Sequence, residues 1–290
     1  MAIRVGVLRG GLSEEREVSL KSGENVLDNL PEKYFGHDIV LTKNNEWLFD
    51  RKFSRPEKIF PRLDVVFNAL HGYFGEDGKI QQLLEDFKIP YTGSGILASA
   101  LGMNKILSRQ LFLQAGLNVP KTIIIERKND NAAKEIFKIM PPPWVIKKII
   151  INNFNDLKNI LDAQDDKEII IEEYIEGHEA SCGVIENFRS QKFYSLPVVE
   201  IIKGREFCPA GFSREIKKEI EKISVIAHRV LGCRHYSRQD FIVAKNKIYI
   251  LEANTLPGLT AESLIPKALE AIGATYPQFL DHLLTLALTE

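Results

Sequence analysis

The stretch LDVVFNAL, residues 63–70, is apolar on both of its faces. Successive strand side chains point to opposite faces, so a half-buried strand alternates apolar and polar residues. A strand apolar throughout must be covered on both sides, as in a parallel sheet flanked by helices. The neighbouring segments agree. IRVGVLR reads as a strand, and Ser13 could cap a helix that runs to about Leu30. GKIQQLLEDFKI reads as a helix. This alternation predicts a parallel α/β unit in the first third of the chain.

Further along, a helix is expected from Asn104 to Gly116, with Pro120 beyond its end. Strand KTIIIER follows, then a helix near Ala132–Ile139. The run Pro141-Pro142-Pro143 precedes strand WVIKK, and EIIIEEYI forms another strand before Gly177. The last third holds two long strands, ASCGVIE and QKFYSLPVVEII. A helix from about Ser213 to Leu231, a hairpin and a final helix complete it. Boundaries near residues 100 and 180 divide the chain into units 1–100, 101–180 and 181–290.

Composition narrows the functional class. The 290 residues carry a net charge of -1, with 27% charged and 44% hydrophobic residues. There is no basic footprint, so neither a nucleic acid nor a membrane surface is expected as a partner. No apolar run is long enough to span a bilayer, and MAIRVGVLRGG lacks the apolar core and cleavage site of a signal peptide. Cys182, Cys208 and Cys233 are scattered and form no CxxC pair, so neither a disulfide framework nor a zinc site is suggested. A cytoplasmic, enzyme-sized protein is expected.

The hairpin RQDFIVAKNKIYILEAN carries the strongest chemical signal. With its turn centred on Asn246, Ala244 faces Ile248, Asp240 faces Glu252 and Arg238 faces Asn254. Opposed like charges destabilise a sheet, so this pattern calls for another register or a cation between the carboxylates. Asn254 adds a neutral oxygen on the same face. Such a set suits Mg²⁺ better than zinc or copper. The alternative is an edge hairpin whose carboxylates are solvated.

Other candidates are weaker alone. Glu14 and Glu15 fall in the first turn of a helix that follows a strand, where α/β sheets bind ligands or where acids simply complement the helix dipole. LHGYFGEDG gathers His71, glycines and two acids, and YTGSG is a second glycine-rich loop. Both could be plain turns or a ligand rim. Lys105 starts a helix, against the dipole, which suggests a nearby anion. Lys147 ends a strand and could be solvated. Ser263 reads as an N-cap that leaves the N–H of Leu264 open to an anion. The glycines do not form GxGxxG, which argues against a dinucleotide-binding dehydrogenase.

Taken together, GGLSEEREVSLKSG, LHGYFGEDG, YTGSG, SRQDF and EANTLPGLTAESLIP resemble the D-alanine–D-alanine ligases of the ATP-grasp superfamily. These motifs occur in order over nearly the whole chain. The resemblance implies three α/β domains, with ATP between the second and third. It implies that ATP phosphorylates one D-alanine and that the amine of a second attacks the acyl phosphate, in peptidoglycan precursor synthesis. Asp240, Glu252 and Asn254 match the ligands of two Mg²⁺ ions, for which Mn²⁺ could substitute. Lys105 and Lys147 match lysines on the ATP phosphates. Glu172, Tyr174, Ile175 and Glu179 match the adenine and ribose site. Glu15 matches the acid that holds the first substrate's ammonium, with His71 close by. Ser263 and Leu264 match the grip on the second substrate's carboxylate. Arg238 and the N–H of Gly258 match the oxyanion-stabilising groups. A homodimer is implied by the family.

Two family segments have no counterpart. A glycine- and serine-rich phosphate loop should follow VIK, but WVIKKIIINN runs straight on. A longer flap carrying a tyrosine and a lysine should follow PVVEI, but IKGREFCPAGFS leads directly to the next helix. With no turn signal after VIK, the chain is expected to be interrupted within 146–150, and again within 204–208. Uninterrupted turns there would instead favour a nucleotide-binding protein without catalysis. The second substrate, D-alanine, D-lactate or D-serine, stays open.

Overall fold

A computed structural model describes residues 2–126, 131–163, 168–245 and 247–289. Among these residues the strands form three sheets. The first comprises β1 (Ile3–Gly10), β2 (Tyr34–Leu41), β3 (Trp47–Phe49), β4 (Lys52–Ser54) and β5 (Val65–Asn68), in spatial order β4-β3-β2-β1-β5. β1 runs parallel to both β2 and β5, while β3 and β4 add an antiparallel edge. The unit is therefore mixed rather than purely parallel.

The helices of this region are α1 (Arg16–Asp28), α2 (Pro56–Ile59) and α3 (Lys79–Asp86). All four residues of β5 are buried, as its continuous apolar run requires. Val66 joins Leu8, Ile39, Ile80 and Leu84 on one face of the sheet. Val65 and Phe67 join Val5 and Val7 on the other.

Helices α4 (Ile96–Met103) and α5 (Lys105–Gln114) lead to the second sheet. It contains β6 (Thr122–Glu126), β7 (Trp144–Ile146), β8 (Ile149–Ile151) and β9 (Glu168–Glu173), ordered β6-β9-β7-β8 and antiparallel throughout. Its own core joins Trp144, Ile146 and Ile171 to Ile136 of α6 (Ala132–Ile139) and Leu157 of α7 (Phe154–Ala163).

The third sheet is organised around β10 (His178–Phe188). β11 (Gln191–Ser195), β12 (Val199–Ile202) and β13 (Arg205–Phe207) come next, followed by α8 (Arg214–Leu231), β14 (Tyr236–Ala244) and β15 (Lys247–Asn254). The order is β13-β12-β10-β14-β15, with β11 also paired to β10. Helices α9 (Leu264–Ala271) and α10 (Tyr276–Thr289) follow. Phe279, Leu280, Leu283 and Leu284 of α10 enter the same core as Val5 and Phe67 of the first sheet.

Several expectations need correction. QKFYSLPVVEII is two strands, because Pro197 cannot donate to a ladder. β11 pairs with residues 184–188 of β10, and β12 with residues 179–181. Ser13 is not the helix cap. Glu15 holds that position, and Ser13 Oγ accepts from the Glu15 N–H at 3.2 Å while donating to His71 O at 2.6 Å. Glu14 and Glu15 thus precede α1 rather than forming its first turn. Residues 100 and 180 fall inside α4 and β10.

The two interruptions are also absent. Ile146 pairs with Ile149 across a two-residue turn, with Lys147 and Lys148 at φ 47° and 68°. Ile202 pairs with Arg205 across Lys203 and Gly204, at φ 49° and 74°. Two-residue hairpins want positive φ at both central positions. Gly204 meets that need without steric cost, and the lysines adopt it without glycine. Short turns stand where the family's phosphate loop and flap would begin.

Candidate active site

The β14–β15 hairpin pairs Arg238 with Asn254 and Asp240 with Glu252, as the sequence suggests. At the turn end the register differs, with Ala244 opposite Lys247 rather than Ile248. A bulge between Asp240 and Phe241 reconciles the two ends, with Leu251 as the extra residue. Asn246 lies outside the described residues.

Both oxygens of Asp240 are engaged. Oδ1 accepts from Ser181 Oγ at 2.6 Å and from Arg238 Nε at 2.9 Å. Oδ2 accepts from Arg238 Nη2 at 2.7 Å and from Asn254 Nδ2 at 3.0 Å. Burial works against the Arg238 charge, but Asp240, with Glu252 and Glu76 behind it, raises its pKa overall. The guanidinium thus supplies the positive charge that the opposed carboxylates require. Asp240, Glu252 and Asn254 offer oxygen donors on one face, a set that fits a hard cation such as Mg²⁺. Among the described residues no three His, Cys, Asp or Glu side chains gather as a metal cage, so phosphate or water would have to complete the shell.

A cleft opens between this hairpin and the second sheet. Val145 and Ile150, cross-strand partners on β7 and β8, form one apolar wall, with Ile242 and Leu251 among the other lining groups. Tyr174, Ile175 and Glu179 line it as well. At its floor Glu172, 8% exposed, receives Lys105 Nζ at 2.6 Å and a short contact from Arg109 Nη2. The anion expected near the start of α5 is therefore Glu172. Asn104 caps this helix by accepting from the N–H groups of Ile106 and Leu107.

Two polar chambers adjoin the cleft. An inner chamber is lined by Glu15, Gly72, Glu76, Lys105, Glu252 and Asn254, among others. A rear chamber includes Glu15, His71, Arg238, Gly258, Ser263 and Leu264. His71 is buried, near Leu256 O through Nδ1 at 3.0 Å and near Ser22 Oγ through Nε2 at 3.2 Å. It ties its loop to α1 and to the turn after β15. A Cβ on Gly258 would stand 3.1 Å from Ser263 Oγ, so glycine permits that close approach. Ser263 makes no side-chain cap bond to α9. Its hydroxyl accepts instead from the Thr260 N–H at 3.1 Å.

The predicted residues therefore converge, with one exception. Lys147 is not among the residues lining the cleft or either chamber, whereas its neighbour Lys148 lines both the cleft and the inner chamber. Sequence reasoning also missed Arg109, which is 3% exposed. Its Nη1 donates to Thr122 Oγ1 at 2.5 Å and its Nη2 to the bulge carbonyl of Leu251 at 3.4 Å. Its spacing of four from Lys105 on one helix face was the available signal. Ser181 was missed too, and Glu76 was noted only as one of the two acids in the His71 loop. Burial pushes the thiols of Cys182 and Cys233 up to about 12, so neither is a nucleophile at neutral pH.

Comparisons with known proteins agree with this architecture. Residues 145–285 match the family model described as D-ala D-ala ligase C-terminus, and residues 4–62 and 53–94 match D-ala D-ala ligase N-terminus. The D-alanine–D-alanine ligase of Syntrophobacter fumaroxidans is 38% identical, with 99% of this chain and 98% of the relative covered. That alignment extends over 316 positions, more than the 290 residues present here, so the relative has residues that this chain lacks. The crystal structure of the Bacillus anthracis D-alanine–D-alanine ligase complexed with ATP superposes with a TM-score of 0.86 at 31% identity, covering 99% of this chain and 98% of that one. The VanG D-Ala:D-Ser ligase of Enterococcus faecalis gives 0.84 at 29% identity, covering 99% and 100%. With both family models matched along an ATP-grasp architecture, this chain belongs to the D-alanine–D-alanine ligase family.

Proposed function

We propose that the chain joins two D-alanine molecules at the expense of ATP, through an acyl phosphate, for peptidoglycan precursor synthesis. One observation carries the reading. The nucleotide cleft and the two polar chambers share walls around Glu15, Lys105, Arg238, Glu252 and Asn254, so three reactants can meet there.

ATP lies in the cleft, its adenine and ribose near Glu172, Tyr174, Ile175 and Glu179 and its phosphates towards Lys105. Glu15 pairs with the ammonium of the first D-alanine, with His71 holding the loop behind it. A carboxylate oxygen of that D-alanine attacks the γ-phosphorus, and the bond to the β,γ-bridging oxygen breaks with its electron pair, releasing ADP. Ser263 and the N–H of Leu264 hold the carboxylate of the second D-alanine. Its deprotonated amine attacks the acyl carbon, the carbonyl electrons move onto oxygen, and their return expels phosphate, while the nitrogen gives up one proton to the departing phosphate. Arg238 and the N–H of Gly258 face the negative charge of that tetrahedral state. Two Mg²⁺ ions, or Mn²⁺, held by Asp240, Glu252 and Asn254, would offset the phosphate charge.

The three sheets support a division into three domains, with the expected boundaries at 100 and 180 moved to the loops that precede α4 and β10. Among the described residues no helix is long and apolar enough to cross a membrane. A cytoplasmic homodimer without nucleic-acid or membrane partners rests on the family resemblance and the near-neutral charge.

Phosphate release should require ATP, Mg²⁺ and D-alanine together, and D-alanyl-D-alanine should accumulate with it. Supplying D-serine or D-lactate alongside D-alanine reads the second substrate. The two short turns favour one other reading, nucleotide binding without ligation. ATP binding with no phosphate release under any of these conditions would establish that alternative.

A further inference from the structure

The turn between β7 and β8 consists of two lysines in left-handed backbone, Lys147 at φ 47° and Lys148 at φ 68°. Such a conformation is uncommon outside glycine, asparagine and aspartate. The two-residue hairpin imposes it on both lysines and projects their side chains from the end of the sheet.

Lys148 faces the reacting centre. Among the described residues, Lys105, Lys148 and Glu252 are the three that line both the nucleotide cleft and the inner chamber. On the ligase reading, a phosphoryl group passes between those two spaces, from ATP to the D-alanine beside Glu15. The other cations there already have carboxylates: Lys105 and Arg109 bind Glu172, and Arg238 binds Asp240. Lys148 has no carboxylate partner among the described residues. An amine at that junction without a carboxylate of its own is matched to a polyanion.

We propose that Lys148, rather than Lys147, is the lysine that grips the γ-phosphoryl group of ATP, standing in for the phosphate loop this chain lacks. The proposal rests on the ligase reading of the site. As the D-alanine carboxylate oxygen bonds to the γ-phosphorus and the bridging oxygen departs on ADP, Lys148 Nζ stays protonated. It donates hydrogen bonds to the non-bridging oxygens and transfers no proton.

The test compares Lys148→Gln, Lys148→Gly and Lys147→Gln in the full chain. Calorimetry would measure the affinity of each for ADP and for a non-hydrolysable ATP analogue in the presence of Mg²⁺. A charge-assisted hydrogen bond supports a loss of roughly 10-fold to 100-fold for the analogue in both Lys148 variants. ADP, which lacks the γ-group, should change by less than about 3-fold. Lys147→Gln should bind both nucleotides within about 3-fold of the parent protein. Lys148→Gly adds a separation of roles. Glycine relieves the positive φ, so thermal unfolding should shift upward while analogue affinity falls. Unchanged analogue affinity in both Lys148 variants would overturn the proposal, as would a loss confined to Lys147→Gln. These binding measurements need no turnover. A parent protein that releases no phosphate would count against ligation, while the contrast between the lysines would still decide the role of Lys148.

Discussion

Two hairpins line the cleft, and they are built differently. β14–β15 has strands of nine and eight residues, with Phe241, Val243, Ile248 and Ile250 all 8% exposed or less. β7–β8 has strands of three residues, and its Ile149 and Ile150 are 56% and 49% exposed. The long hairpin fixes Asp240, Glu252 and Asn254 on a packed face. The short one places Val145, Ile150 and Lys148 along the opposite side. Groups that must hold one geometry sit on the buried scaffold. On the proposed reading, groups that meet the nucleotide sit on the shallow one, where local opening costs little.

Three measurements bear on that contrast. The largest effect should come from Asp240→Asn, which keeps the shape of the long hairpin but removes a charge. D-alanine-dependent phosphate release should fall by about 100-fold or more, as when an electrostatic group is lost from a reacting centre. Turnover near that of the parent protein would remove Asp240 from the chemistry. Next is a matched pair of truncations followed by urea unfolding. Phe241→Ala, at 1% exposure, should cost about 3–5 kcal/mol. Ile150→Ala, half exposed on the short hairpin, should cost less than about 1 kcal/mol. Equal costs would mean that the two hairpins are equally anchored.

The smallest effect concerns pH. Glu186 Oε2 accepts from the N–H of His235, and Oε1 lies 3.5 Å from His228 Nε2. His228 Nδ1 in turn meets Ser237 Oγ near the start of β14, at 2.6 Å. Burial raises the Glu186 carboxyl, but His228 and the His235 N–H together bring it below its ordinary 4.5. A lowered folded value means that the stabilisation is complete above the unfolded value. It is lost as pH falls through the folded one. Acidification below about pH 4.5 should therefore increase hydrogen exchange at the start of β14. Glu186→Gln should flatten that response, and an unchanged slope would detach Glu186 from the long hairpin.

Much of this arrangement is legible in the sequence where local rules and tertiary packing agree. β5 is recognisable because all its residues are buried. α6 has its expected bounds because its apolar spacing has one period. The opposed pair Asp240 and Glu252 was legible even though the turn register was misplaced, because the bulge at Leu251 adds the residue that the shorter turn omits. β2 to β4 were not legible. Gly36, His37 and Asp38 interrupt the first, and the other two have only three residues each. Arg109 stayed hidden because its partners, Thr122, Glu172 and Leu251, lie on three different strands that only the fold assembles.

The return of α10 to the first sheet has a consequence for biosynthesis. Val5, Val7, Val65 and Phe67 are covered by Phe279, Leu280, Leu283 and Leu284, and Tyr34 Oη donates to Asp281 Oδ1 at 2.7 Å. About 200 residues separate β5 from α10, so at roughly 5–20 residues per second a ribosome needs about 10–40 s to make the cover. Throughout that interval the part of this face that α1 does not cover is an apolar surface without its native partner. A nascent chain of this design keeps that surface open until α10 has emerged to cover it.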